Sequence, residues 1–241
     1  TASWVISPLL GGVVAALFLA FIKKQVLYQD DTIAAARKWV PILVALMAGV
    51  FSAYLSVKGL KRVWRPDPWM VAAIGAGFFA VTYAAVRLQI AKRSEGMDNT
   101  KKTIRNLFHI PLICAAALLS FAHGANDVAN AVGPLAAIVS SASTGAVVSG
   151  KVGIPPWVMF VGAAGITMGL LLFGPKLIRT VGNKITRMNP MRAFCVALSA
   201  AITVIIASSL GLPVSSTHIA VGAVFGVGFF REYHGARGVH M

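Results

Sequence analysis

Seven long apolar runs, nearly free of charge and strung between basic connections, constrain this chain more than any other feature. They cover residues 4–22, 39–57, 69–86, 110–122, 156–173, 193–210 and 213–230. A helix that crosses the hydrocarbon core of a bilayer needs about 20 apolar residues, and several of these runs approach that length. The mean hydropathy is +0.77 and only 12% of the residues are charged, against about 25% in soluble domains. The expected fold class is an all-α polytopic membrane protein, with the lipid bilayer as its partner.

The charge that remains is one-sided. Lys and Arg number 22 against 7 acids, a net charge of +15. In a soluble chain this would suggest nucleic acid. Here the basic residues lie in the connections, as in Lys23, Lys24, Arg37 and Lys38, or Lys176, Arg179, Lys184, Arg187 and Arg192. That pattern fits anchoring at the membrane surface and attraction to anionic lipid. No basic patch is interleaved with aromatic residues as in single-strand binders, so nucleic acid is excluded as a partner. Cys114 and Cys195 both fall in apolar runs, without the spacing of metal ligands or of a disulfide framework. No cofactor is implied.

Along the chain, residues 1–90 read as three transmembrane helices and 91–109 as a polar extramembranous loop. The region 110–230 is apolar but interrupted by Gly, Pro, Ser, Thr and Asn, and 231–241 is a truncated polar tail. The chain starts at Thr1 and enters its first apolar run without a basic leader. That run is therefore not read as a signal peptide, and the chain is expected to be a piece of something longer. Segment 174–192 carries five basic residues and no acid, which puts it on the cytoplasmic side. Arg192 and Arg231 bracket 193–230, as in a re-entrant hairpin; two full crossings of about 18 residues each remain open.

Six of the seven acids lie in loops or at ends: Asp30, Asp31, Asp67, Glu95, Asp98 and Glu232. Asp127, within FAHGANDVANAVGPLAAI, is the one inside an apolar region. At a membrane-helix centre an aspartate costs about 2.5–3.5 kcal/mol, so such acids face a partner, a cavity or a transported ion. Between Phe108 and Lys151 the sequence offers no Lys or Arg as a partner. Asn126 and Asn130, four apart, share one helical face with Asp127 beside it. Gly124, Gly133 and Pro134 are helix-breaking positions, so ANDVANAV is expected to be a short or half helix. Carboxylate, amide oxygens and freed carbonyls are hard donors for a hard cation. With a single acid, a monovalent ion or a proton suits the set best.

A second interruption is SSLGLPVSSTHIAVGAVFG, residues 208–226. Gly211 ends one helical run, and Pro213 suits the opening of the next, where its missing N–H costs nothing. Ser215, Ser216 and Thr217 then share the first turn with unpaired backbone N–H groups and the positive end of the helix dipole, an arrangement that binds anions. His218 is expected to be a hydrogen-bonded packing residue rather than a proton carrier. Broken helices that aim an N-terminus at an anion and oxygens at a cation are a transporter pattern, which reaches a cation-coupled anion transporter without naming the anion.

These residues also resemble a known family. GANDVANAVGPLAAI (124–138) is similar to the signature of the inorganic phosphate transporter (PiT) family, the sodium- or proton-coupled phosphate symporters. GLPVSSTHIAVGAVFGVG (211–228) resembles that family's second characteristic stretch, and SWVISPLLGG (3–12) the segment after its first repeat. The resemblance implies an inverted-repeat secondary transporter with broken or re-entrant helices, of which this chain holds the middle and, in 110–230, the second repeat. It implies symport of inorganic phosphate by alternating access, coupled to Na⁺ rather than H⁺, in the plasma (inner) membrane, with a homodimer left open. Asn126, Asp127 and Asn130 would hold the cation, and Ser215, Ser216 and Thr217 the phosphate, with Asp127 also reaching it through the cation. A chain with one signature of two is expected not to transport alone.

Three other readings compete. A carrier of another oxyanion such as sulfate would use the same cradle. A serine hydrolase built on Ser215 or Ser216 with His218 lacks a G-x-S-x-G elbow, and residues two apart on a helix point apart. A non-transporting receptor or structural protein would leave the cost of Asp127 unexplained.

Overall fold

The computed structural model describes residues 2–59, 67–95, 100–145, 153–180, 186, 188–210, 212 and 214–236. They form eight α-helices: α1 (Ala2–Ile22), α2 (Thr32–Tyr54), α3 (Pro68–Arg93), α4 (Lys101–Leu107), α5 (His109–Thr144), α6 (Pro156–Thr180), α7 (Pro190–Ser209) and α8 (Ser216–Ala236). Short π-helical extensions, Lys23–Leu27 and Leu55–Gly59, follow α1 and α2. No strand occurs among the described residues. Among the described residues, six helical segments are long and apolar enough to cross a membrane, and the fold is that of an all-α, multi-pass integral membrane protein.

Each of the seven apolar runs contributes to a long helix, but the boundaries follow local chemistry. Asp31 caps α2 by accepting from Ala34 N at 2.9 Å, and Asn189 caps α7 by accepting from Arg192 N at 2.9 Å. Pro68 and Pro190 occupy the first positions of α3 and α7, where proline gives up no hydrogen bond. Gly145 closes α5 with φ +67°, a conformation glycine adopts without a Cβ clash. Between α3 and α5, α4 buries Ile104 and Leu107 in the core.

One expectation fails. Helix α5 runs unbroken for 36 residues, straight through Gly124, Gly133 and Pro134, so ANDVANAV is the middle of a long helix and not a half helix. Proline removes the bond from its own missing N–H, here the one that would reach the Asn130 carbonyl, and its ring crowds that carbonyl. Membrane helices tolerate that loss when neighbours or waters serve the freed group. The glycines have open space around them and retain helical geometry.

Helix α7 runs beside the first half of α5, in the same direction. Phe108 and Phe194 meet near their starts, with ring centres 5.6 Å apart, and Asn126 and Ser208 meet at the other end. The chain then turns and α8 returns antiparallel to α7, bringing Arg231 Nη1 to 3.5 Å from Thr186 Oγ1. At 20 and 21 residues, the two arms are each about 30 Å long. Their turn is level with the midpoint of α5. Helix α1 lies against α8 with backbones in direct contact. A Cβ on Gly11, Gly222 or Gly226 would run into the carbonyls of Ile219, Pro8 and Gly12 respectively, so only glycine allows this approach. Ser199 Oγ, from α7, donates to the Gly11 carbonyl at 2.9 Å and joins the third helix to the pair.

The main core lies among α1, α2, α4, α7, α8 and the first half of α5, around Leu19, Ile22, Val40, Phe108, Phe194 and Ile219. The second half of α5 runs on past the α7–α8 turn and packs on α6 through Val132, Ala136 and Val158. Much of α6 faces outward, as Phe160, Leu171 and Ile178 show.

Candidate functional site

Asp127 stands at the midpoint of α5, opposite the α7–α8 turn, and three side chains hold its carboxylate. Oδ1 accepts from Ser216 Oγ at 2.6 Å and from Asn126 Nδ2 at 3.0 Å. Oδ2 lies 2.9 Å from His123 Nε2, one helical turn earlier. The side chains of His123 and Asp127 are 31% and 28% exposed, so the carboxylate is held in place yet open to an arriving ion. Hydrogen bonds to a charged acceptor are worth about 1.5–3 kcal/mol each, enough to offset much of the cost of placing the acid there.

Asn126 ties α5 to the turn. Its Nδ2 also donates to the Val214 carbonyl at 3.3 Å, and its Oδ1 accepts from Ser208 Oγ at 3.5 Å. Oxygens of Asp127, Asn126, Val214, Ser208 and Ser216 therefore converge on one small volume. They are hard donors with a single formal charge, a set suited to a monovalent hard cation. Among the described residues no three His, Cys, Asp or Glu side chains gather at one point.

The first turn of α8 supplies the opposite polarity. Ser215 caps it: Oγ accepts from His218 N at 3.3 Å, and the Ser215 carbonyl accepts from Ile219 N at 3.0 Å. Ser216 is fully buried, and its hydroxyl is committed to Asp127. The N–H groups of Ser216 and Thr217 precede the first intrahelical bonds and carry the positive end of the helix dipole. The carboxylate of Asp127 thus sits where an external anion would sit.

Asn126, Asp127 and Ser216 are in direct contact, with Ser215 next to them as the cap. Asn130 and Thr217 are exposed, and among the described residues no hydrogen bond joins the Asn130 side chain to the Asp127–Ser216 contact. Gly211 and Pro213 lie outside the described residues. His218 is exposed and takes part only through its backbone N–H. It is not the packing residue expected from sequence, because the first turn of α8 presents positions 217 and 218 outward. Three contributors went unnoticed in the sequence. His123 was detectable from its i, i+4 spacing to Asp127. Ser208 and the Val214 carbonyl carry no such signal, since they reach the site only because α7 packs along α5.

The whole chain, residues 1–241, matches the family model described as the phosphate transporter family. A Helicobacter pylori (strain J99) protein, provisionally named a phosphate permease, is 54% identical over 233 residues, covering 96% of this chain and 44% of that protein. A Pyrococcus furiosus protein with a similar provisional name is 37% identical over 229 residues, covering 95% of this chain and 55% of its own length. Among solved structures, one described as the sodium-dependent phosphate transporter superposes with a TM-score of 0.85 at 37% identity, covering 96% of this chain and 57% of that one. The chain spans about half the length of the curated relatives it matches. With this match running from end to end, the chain belongs to the phosphate transporter family.

Proposed function

We propose that the full-length protein containing this chain carries inorganic phosphate across the plasma (inner) membrane in symport with a cation, sodium foremost. The observation that carries the proposal is the 2.6 Å contact between Ser216 Oγ and Asp127 Oδ1. It joins the acid of GANDVANA to the hydroxyl-rich start of α8. In this reading Asn126, Asp127 and Asn130 serve the cation, while Ser215, Ser216, Thr217 and the free N–H groups of α8 serve the phosphate.

The mechanism follows from charge. Without a cation, the carboxylate of Asp127 occupies the positive end of α8 and repels an incoming phosphate; the repulsion grows as the local dielectric falls. A cation bound at Asp127 Oδ1 and the Asn126 amide oxygen neutralises the carboxylate and frees the Ser216 hydroxyl. Phosphate then meets a hydroxyl, two N–H groups and a neighbouring cation. Each ligand favours the other, and the coupling is reciprocal. A second copy of the signature in the remaining half of the protein would complete an inverted-repeat site for alternating access. Assembly as a homodimer is compatible with this scheme.

The His123–Asp127 contact at 2.9 Å favours one second reading, proton coupling. A protonated imidazole neutralises the carboxylate as a bound sodium ion would. Labelled phosphate uptake by the full-length protein in sodium and in choline medium, across pH, separates the two. Sodium-dependent uptake that Asp127→Asn lowers by roughly 10- to 100-fold is the expected result. Uptake independent of both sodium and pH, or strong inhibition by sulfate at equal concentration, would overturn the assignment.

A further inference from the structure

At the end of α8 remote from Ser216, fifteen residues along and about 22 Å away, the surface combines two features that the transport site does not use. A groove of about 660 Å³ runs between α1 and α8, lined by Pro8, Gly12 and Val13 on one side and by Phe225, Phe229 and Tyr233 on the other. Its shape follows from the glycine contacts: the backbones touch at the floor, and the aromatic side chains of α8 stand up as one wall. The lining is apolar, and Val13, Phe229 and Tyr233 remain more than half exposed.

Cations gather at one end of this groove. Lys23 Nζ lies 5.2 Å from the centre of the Phe230 ring, which also lines the groove. Arg231 follows directly, with Nη1 near Thr186 Oγ1, and Arg192 is close enough to repel both. All three are half-buried and come from the ends of three different helices. Neither Lys23 nor Arg231 has an acidic partner among the described residues. Like charges are thus held together beside Thr186 and the start of α7, the end that the basic count of 174–192 assigns to the side facing anionic lipid under the positive-inside rule.

We propose that the α1–α8 groove and the Lys23–Arg231 pair form a binding site for one anionic phospholipid, its acyl chain in the groove and its phosphate between the two cations. An apolar trough without the cations would take any lipid, and the cations without the trough would take any phosphate. Their continuity through Phe230 selects a molecule that carries both parts. The lipid relieves the repulsion between Lys23 and Arg231 and fastens α1 to α8.

Native mass spectrometry of the full-length protein, titrated with phosphatidylglycerol, phosphatidylcholine or inorganic phosphate, tests this. Phosphatidylglycerol should bind roughly tenfold or more tightly than phosphatidylcholine, a preference lost in Lys23→Gln/Arg231→Gln, with each cation contributing as a surface charge near anionic lipid does. Val13→Trp, which fills the groove from an exposed position, should weaken phosphatidylglycerol binding with the cations intact. Asp127→Asn should leave it unchanged. Equal retention of the two lipids, indifference to the charge changes, or displacement of phosphatidylglycerol by inorganic phosphate at equal concentration would overturn the proposal. Cross-linking of Val13→Cys to another protein segment would do so as well, by showing that protein fills the groove.

Discussion

Asp127 is bonded through both carboxylate oxygens, and the consequences of altering it can be separated from those of altering its neighbours. Asp127→Asn keeps the shape and the Ser216 contact but removes the charge that a cation needs. Cation-dependent phosphate uptake by the full-length protein should fall by roughly 10- to 100-fold, the size expected for losing a charge-assisted interaction, with membrane insertion preserved. Normal cation dependence in this variant would remove Asp127 from the cation site. Ser216→Ala leaves Oδ1 with Asn126 as its one donor on that side. A loss of uptake of about 10- to 150-fold is expected from one hydrogen bond to a charged group, read from initial rates at matched expression. The sequence exposed Asp127 because a charge in an apolar run is conspicuous. It could not expose Ser208 or the Val214 carbonyl, whose types are common in any membrane helix.

At the scale of the elements, the α1–α8 contact is the most demanding, since Gly222 and Gly226 meet backbone atoms that cannot move aside. Gly222→Ala should destabilise the protein by about 1–3 kcal/mol, the usual cost of overpacking, and lower its melting temperature in detergent. Gly77 on α3 has open space where an added methyl group would stand, with nothing within 4 Å, and Gly77→Ala should leave the melting temperature unchanged or slightly raised. Equal responses at the two positions would show that α1 and α8 do not pack by their backbones. The spacing of small residues marks α8 as a packing helix, but its partner is chosen only when α7 and α8 fold back together. Helix α5 teaches the opposite lesson. Glycine and proline suggested a break, yet one missing N–H in a helix of 36 residues is a local loss that the rest of the helix absorbs.

Across the whole molecule, the site uses one acid, from α5, and one helix start, from α8, both within a chain about half as long as its relatives. Proteoliposomes containing this chain alone should show no cation-driven phosphate uptake, while those with the full-length protein should. Uptake by the chain alone would mean that one signature suffices and that the inverted-repeat scheme is unnecessary. The same architecture separates the proposed transport site, at the start of α8, from the cations of the proposed lipid site, near its end, so changes at Asp127 and at Lys23 are expected to act independently.

By itself, the sequence determined the membrane setting and the run of long helices, and it singled out Asp127 and the SSTH turn as candidates. Those properties are local: hydropathy over about 20 residues, the cost of a lone carboxylate in lipid, and the hydrogen-bonding groups of a helix start. Only the tertiary structure decided that Asp127 lies against Ser216, that His123 and Asn126 hold it there, and that α5 continues unbroken past them. Such pairings depend on which faces of distant helices meet, and a charge or a glycine in the sequence does not carry that information.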